Sequence, residues 1–133
     1  MNAFYTNVFN HGNYIFLRGF DESGERVQKK YTYEPTMYVP SQTPSGYTDI
    51  RNNPVQPVKS INSIYDAKDF IKKYDQVENL SIYGYDRFAY TYIYDNYKNI
   101  KPDTSKINIV SLDIEVASDD GFPEPGVAEK EVT

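Results

Sequence analysis

The chain has 133 residues, a formal net charge of −5, 14 Tyr and no Cys. That length allows one ordinary domain with a modest core. The missing thiols exclude a disulfide framework and a thiolate zinc site. No apolar run is long enough to span a bilayer, and the N-terminus lacks the basic-then-apolar pattern of a secretory signal, so a cytoplasmic protein with no membrane partner is expected. The charge argues against a general nucleic-acid-binding protein, but it is unevenly placed. Residues 107–133 carry seven acidic side chains and one Lys, whereas residues 1–106 are near neutral and leave room for a local basic patch. The Tyr residues suit a core, an interface or a base-stacking surface equally.

Phe4 to Phe9 predicts a first strand and Tyr14 to Phe20 a second. Asn10-His11-Gly12-Asn13 between them is a turn, with the lone His11 a turn residue rather than a ligand. Asp21-Glu22-Ser23-Gly24 suits a hairpin loop, with Gly24 at the position that needs positive φ. Arg26 to Tyr33 returns as a third strand, Pro35 ends it, and Met37-Tyr38-Val39 adds a short extension. Arg26, Lys29 and Lys30 make the most basic spot. It reads as a solvated edge that discourages strand-to-strand aggregation, with phosphate contact as the alternative. Pro40, Pro44, Gly46, Asn52-Asn53, Pro54 and Pro57 predict an irregular loop from Pro40 to Val58, pinned to the body by Tyr47 and Ile50.

Ser63, with Asp66 three residues on, is close to a capping box. Ile64, Ala67, Phe70, Ile71 and Tyr74 then fall on one helical face, which predicts a helix over 63–75. Leu80 to Tyr83 reads as a short strand ended by Gly84. Phe88, Tyr90, Tyr92 and Tyr94 alternate as in a strand, but Asp86 is a good N-cap and Phe88, Ala89, Tyr92 and Ile93 form a helical stripe. The prediction is a helix over 86–97, followed by a polar link from Lys98 to Lys106.

Ile107 to Val116 reads as a buried strand, rich in Val, Ile and Leu and free of Gly and Pro. Val110, Leu112, Ile114 and Val116 share one face; Ile107, Ile109, Ser111, Asp113 and Glu115 share the other. Two carboxylates on an apolar strand cost desolvation and repel each other. A divalent cation is the simplest compensation, because magnesium and manganese prefer oxygen ligands. An Asp-x-Glu on an exposed strand face is the plainer alternative. A turn-rich loop, Asp119 to Gly126, follows directly.

Ser111-Leu112-Asp113-Ile114-Glu115-Val116, followed by Gly121-Phe122-Pro123-Glu124-Pro125, resembles the first exonuclease motif of family-B DNA polymerases in its T-even-phage form. Phe4-Tyr5, Asp21 to Gly24, Tyr33-Glu34-Pro35-Thr36-Met37 and Asp66-Ala67-Lys68-Asp69-Phe70 stand in the same order as in the N-terminal domain of those polymerases. The resemblance implies an α+β N-terminal domain at 1–106, an antiparallel sheet with one or two packed helices. Residues 107–133 would then begin a truncated RNase-H-like 3′–5′ exonuclease domain with its first strand. It further implies Asp113 and Glu115 as catalytic residues and ligands of Mg2+ or Mn2+, with Glu115 also orienting the attacking water. The expected function is that of an N-terminal segment of a DNA-directed DNA polymerase with proofreading exonuclease, inactive alone. It would meet DNA template and primer through the complete enzyme, in the host cytoplasm if phage-encoded, and the C-terminal polymerase portion could be a separate chain. The alternative is a stand-alone module that stacks single-stranded DNA or RNA on exposed Tyr31, Tyr33, Tyr38 and Tyr83. Gly121 to Thr133, rich in Pro, Gly and acid, is expected to be poorly ordered or packed in a non-native way in isolation.

Overall fold

Two tight turns set the first sheet. In the computed structural model, which describes residues 1–115 together with Gly121 and Gly126, β1 (Phe4–His11) passes into β2 (Tyr14–Phe20) through Gly12 and Asn13. Gly12 takes φ +57°, a conformation that costs least without a Cβ. Asn10 Nδ2 donates to the carbonyls of Gly12 (3.1 Å) and Tyr14 (2.9 Å) and so holds the loop closed. At the second turn Asp21 Oδ1 accepts from Ser23 N (2.9 Å), Ser23 Oγ (2.6 Å) and Glu25 N (3.0 Å), the local side-chain bonding that makes Asp a turn former. The bonds from Ser23 Oγ and the Glu25 amide hold the Asp21 carboxyl below its usual range. The chain returns as β3 (Arg26–Tyr31), giving an antiparallel sheet in the order β1-β2-β3. β3 ends two residues short of Tyr33. Ile15 is opposite Tyr31, so the partner strand has run into its own turn by that point.

A bulge in β1 decides which side chains face the core. The register passes from Tyr5↔Gly19 to Asn7↔Arg18, leaving Thr6 without a ladder partner. Tyr5 and Val8, three apart, therefore share a face with Ile15, Leu17 and Gly19. Ile15 and Leu17 are buried at 0% and 3% exposure. Phe4, Phe9, Tyr14, Phe16, Arg18 and Phe20 fall on the opposite face, and Arg26, Gln28 and Lys30 of β3 join them.

Helix α1 (Ile64–Tyr74) starts where the cap predicts. Ser63 Oγ accepts from Asp66 N at 3.1 Å, and Asp66 Oδ2 accepts from Asn62 N at 3.0 Å. This is close to a capping box, but the return bond reaches the residue before the cap. Lys72 and Lys73 lie in the last turn, where cations suit the helix dipole. Ile64 and Ala67 are fully buried in one cluster with Ile15, Leu17, Tyr33, Met37, Phe88 and Tyr92. Burying a side chain such as Ile64 contributes roughly 1.5–3 kcal/mol. Helix α2 (Phe88–Tyr97) is capped at Arg87 without a side-chain bond, so Asp86 is not its N-cap. Its anchorage is burial of Phe88 and Tyr92 together with the Tyr5–Tyr97 edge contact, centroids 5.4 Å apart.

The stretch expected to be irregular holds a second antiparallel sheet. β4 (Tyr38–Pro40), β5 (Tyr47–Thr48) and β6 (Pro54–Pro57) pair in the order β4-β6-β5, with Val55 buried at the centre. Both prolines of β6 sit at its ends, where the missing N–H costs the ladder least. Tyr47 meets Tyr38 at 5.4 Å, but Ile50 is wholly exposed and pins nothing. The strand expected over Leu80–Tyr83 reduces to one bridge, in which Tyr38 and Tyr83 exchange two 2.8 Å backbone bonds. The described fold is thus mixed α+β, with two three-stranded antiparallel sheets and two α-helices. Met1–Asp103 forms one compact unit and Thr104–Thr133 another.

Candidate functional site

Asp113 and Glu115 lie on a segment, Ile107–Glu115, with no regular secondary structure. Its alternating apolar side chains are open to solvent: Ile109 is 89% exposed, and Val110 and Leu112 are 84%. The buried strand expected here is therefore corrected over 107–115. The physical reason is that a strand needs a ladder partner and a surface for its apolar face, and among the described residues none pairs with this segment. Asp113 and Glu115 are both exposed, two residues apart. Val116, Asp119 and Asp120 lie outside the described residues, as does the expectation of poor order over Gly121 to Thr133, Gly121 and Gly126 apart.

Two carboxylates at this spacing are the right donors for a hard cation such as Mg2+ or Mn2+. Such a cation takes about six oxygens, and among the described residues no three His, Cys, Asp or Glu side chains gather to hold one. The pair fits part of a ligand set and not a whole one.

The tyrosines expected to stack on bases are engaged inward. Tyr33 is buried, its ring set edge-on to Tyr92 at 5.3 Å, and its hydroxyl donates to Asp95 Oδ2 at 2.5 Å. Burial first, then the bond to Asp95, pushes its phenol well above the usual value. Tyr31 stacks on Tyr92 at 6.0 Å. Burial, followed by the neighbouring Tyr97 and Tyr31, pushes the Tyr92 phenol up to about 12. Tyr38 packs on Tyr47, and the Tyr83 hydroxyl donates to Asp49 Oδ2 at 3.3 Å.

The exposed rings of the first sheet are others. Phe9 is 44% and Tyr14 37% exposed on the outer face. Phe9 stacks on Phe16 with centroids 5.1 Å apart and planes 11° off parallel. The Lys30 ammonium sits 4.0 Å from the Tyr14 ring centroid. The sequence signal was the alternation of Tyr14, Phe16 and Arg18 against Ile15 and Leu17. The bulge at Thr6 hid the matching parity in β1.

No protein-family model matches the chain. A DNA-directed DNA polymerase of Escherichia phage RB69 is 35% identical over 131 residues, which is 96% of the chain. The chain is similar to the N-terminal part of that polymerase. It spans 14% of the relative's length. Among the described residues no helix is long and apolar enough to cross a membrane.

Proposed function

We propose that the chain serves as the N-terminal segment of a DNA-directed DNA polymerase of family B that carries a 3′–5′ proofreading exonuclease. The observation that carries this reading is the similarity to the phage polymerase along 96% of the chain. In this reading residues 1–106 are the N-terminal domain, and residues 107–133 begin an RNase-H-like exonuclease domain. Asp113 and Glu115 are two of the ligands for Mg2+ or Mn2+, and Glu115 also orients the attacking water. The bound metals would supply an activated water and stabilise the leaving oxygen. The remaining ligands come from the greater part of a polymerase that this chain does not span. DNA template and primer are engaged through that complete enzyme, in the cytoplasm (the host's if the chain is phage-encoded), whether the C-terminal portion is a separate chain or a continuation.

Support for an inactive isolated chain comes from the exposed segment at 107–115. Its apolar alternation suits a strand whose sheet is supplied from elsewhere, and two carboxylates are too few for a cation that takes about six oxygens. The test has two arms. The purified chain is incubated with single-stranded DNA and Mg2+ or Mn2+, then again with the C-terminal portion of a polymerase of this type added. Cleavage is expected only in the second arm, and Asp113→Ala or Glu115→Ala should lower it by about a hundred-fold or more, the lower end of the range for one catalytic group. Metal-dependent cleavage by the chain alone, abolished by Asp113→Ala, would refute the incomplete-site argument. Cleavage restored by complementation yet unchanged in both variants would refute the residue assignment.

A further inference from the structure

We propose that the outer side of helix α2, centred on Tyr90 and Tyr94, is the docking surface for the C-terminal polymerase portion; this rests on the polymerase reading above.

A helix at the surface of a domain buries one stripe and turns polar side chains to water. Helix α1 does so: apart from Tyr65, its exposed positions carry Asp66, Lys68, Asp69, Lys72 and Lys73. Helix α2 does not. Five of its ten residues are aromatic, and of these only Phe88 and Tyr92 are buried. Tyr97 is half-buried against Tyr5. Tyr90 and Tyr94, one turn apart on the far side, are 58% and 62% exposed. The ring of Tyr85, itself 51% exposed, lies 6.2 Å from that of Tyr90, and the Lys98 ammonium sits 5.0 Å from the Tyr94 centroid. Tyr85, Tyr90, Tyr94 and Lys98 thus form one track along the outside of the helix. A helix that is aromatic on both sides suits an element packed between two bodies. The core cluster, with Phe88 and Tyr92 among its members, covers one of those sides.

Charge and reach select the occupant. The exposed ionisable side chains beside the track are Asp86, Arg87, Asp95 and Lys98. Their charges cancel, so the surface does not draw a polyanion. Tyrosines in a neutral surround are the composition of a protein interface, where large aromatic side chains anchor binding and charge is depleted at the centre. Among the described residues α2 is the last α-helix before the second unit begins at Thr104. The chain matches the N-terminal part of a polymerase and spans 14% of its length, so in this reading most of the enzyme belongs on the C-terminal side. The residues from Tyr97 to Thr104 reach at most roughly 25 Å when fully extended. That tether keeps the start of the next domain close to the track. A second copy of the chain has no tether of this kind and is the rival occupant.

The experiment mixes the full chain with a phage polymerase of this type from which the segment matching residues 1–133 has been removed. Affinity is read by biolayer interferometry, and tyrosine nitration by tetranitromethane is mapped by mass spectrometry in the free and mixed chain. Association is expected, with Tyr85, Tyr90 and Tyr94 nitrated in the free chain and protected in the complex. Tyr65, 53% exposed on α1, should stay reactive in both. Tyr90→Ala and Tyr94→Ala should each weaken association by about thirty-fold, the loss typical of an interface anchor, and Tyr65→Ala should leave it unchanged. Thermal unfolding confirms that each variant is folded, and protection in the wild-type complex carries the test if one is not. Association indifferent to both variants, or one that leaves Tyr90 and Tyr94 reactive, would overturn the proposal. So would a wild-type chain that dimerises by itself through those two rings. A fusion of the chain to the same polymerase portion, assayed for cleavage of single-stranded DNA with Mg2+, judges the polymerase reading separately. An active fusion without association of the separate parts removes the docking surface alone; an inactive fusion removes the reading on which it rests.

Discussion

The Tyr33 hydroxyl donates to the Asp95 carboxylate across 2.5 Å, tying the chain just after β3 to a helix 62 residues further on. Tyr33→Phe keeps the ring against Tyr92 and removes only the donor. Asp95 is exposed enough for water to replace part of the bond. The expected loss is about 1–2 kcal/mol of unfolding free energy, read as a lower urea midpoint at constant slope. An unchanged midpoint would show that water substitutes fully.

Alkaline pH should unfold this protein early. Burial raises the phenols of Tyr33, Tyr38, Tyr92 and Tyr97, that of Tyr92 to about 12. An unfolded tyrosine titrates near 10. Between those values the native state keeps protons that the unfolded chain has released. Their contribution is therefore complete below about pH 10 and is lost as pH rises toward the folded values. Thermal midpoints measured from pH 8 to 12 should be level and then fall, and Tyr92→Phe should make the fall shallower. A level profile to pH 12 would contradict the sign.

Gly19 faces the bulge. A Cβ at this position would run into the Phe4 carbonyl oxygen and lie 2.9 Å from Tyr5 Cα, both backbone atoms that cannot swing aside. Gly19→Ala is expected to cost about 1–3 kcal/mol, the usual range for overpacking. A crystal structure or amide exchange should place the disturbance at Phe4 to Asn7. Wild-type stability in this variant would mean that β1 gives way freely.

Much of the first sheet was legible because its punctuation is chemical. Asp21 and Gly24 can do little else but turn, and Ser63 with Asp66 announces a helix start. The second sheet was not legible, because strands of two to four residues show no alternation and its prolines argue for loop. Asp86 misled by one position: the helix begins on burial of Phe88, with no side-chain cap. At 107–115 the alternation is genuine, but periodicity reports a tendency to pair and is silent about whether a partner is at hand. The spacing of Asp113 and Glu115 was readable for the same local reason, whereas ligands from distant segments were not. The aromatic outer face escaped notice because one extra residue, Thr6, shifts every subsequent side chain of β1 to the other face.

The consecutive hairpins of the first sheet also bear on how the chain folds. Its strands are joined by two short turns, so their pairing closes only small loops and loses little chain entropy. The bond between Tyr33 and Asp95 closes a loop of more than 60 residues. Kinetically, the hairpins belong early and that clasp late. Weakening the clasp should then speed unfolding and leave the refolding rate almost untouched, whereas damage at Gly19 should slow refolding itself.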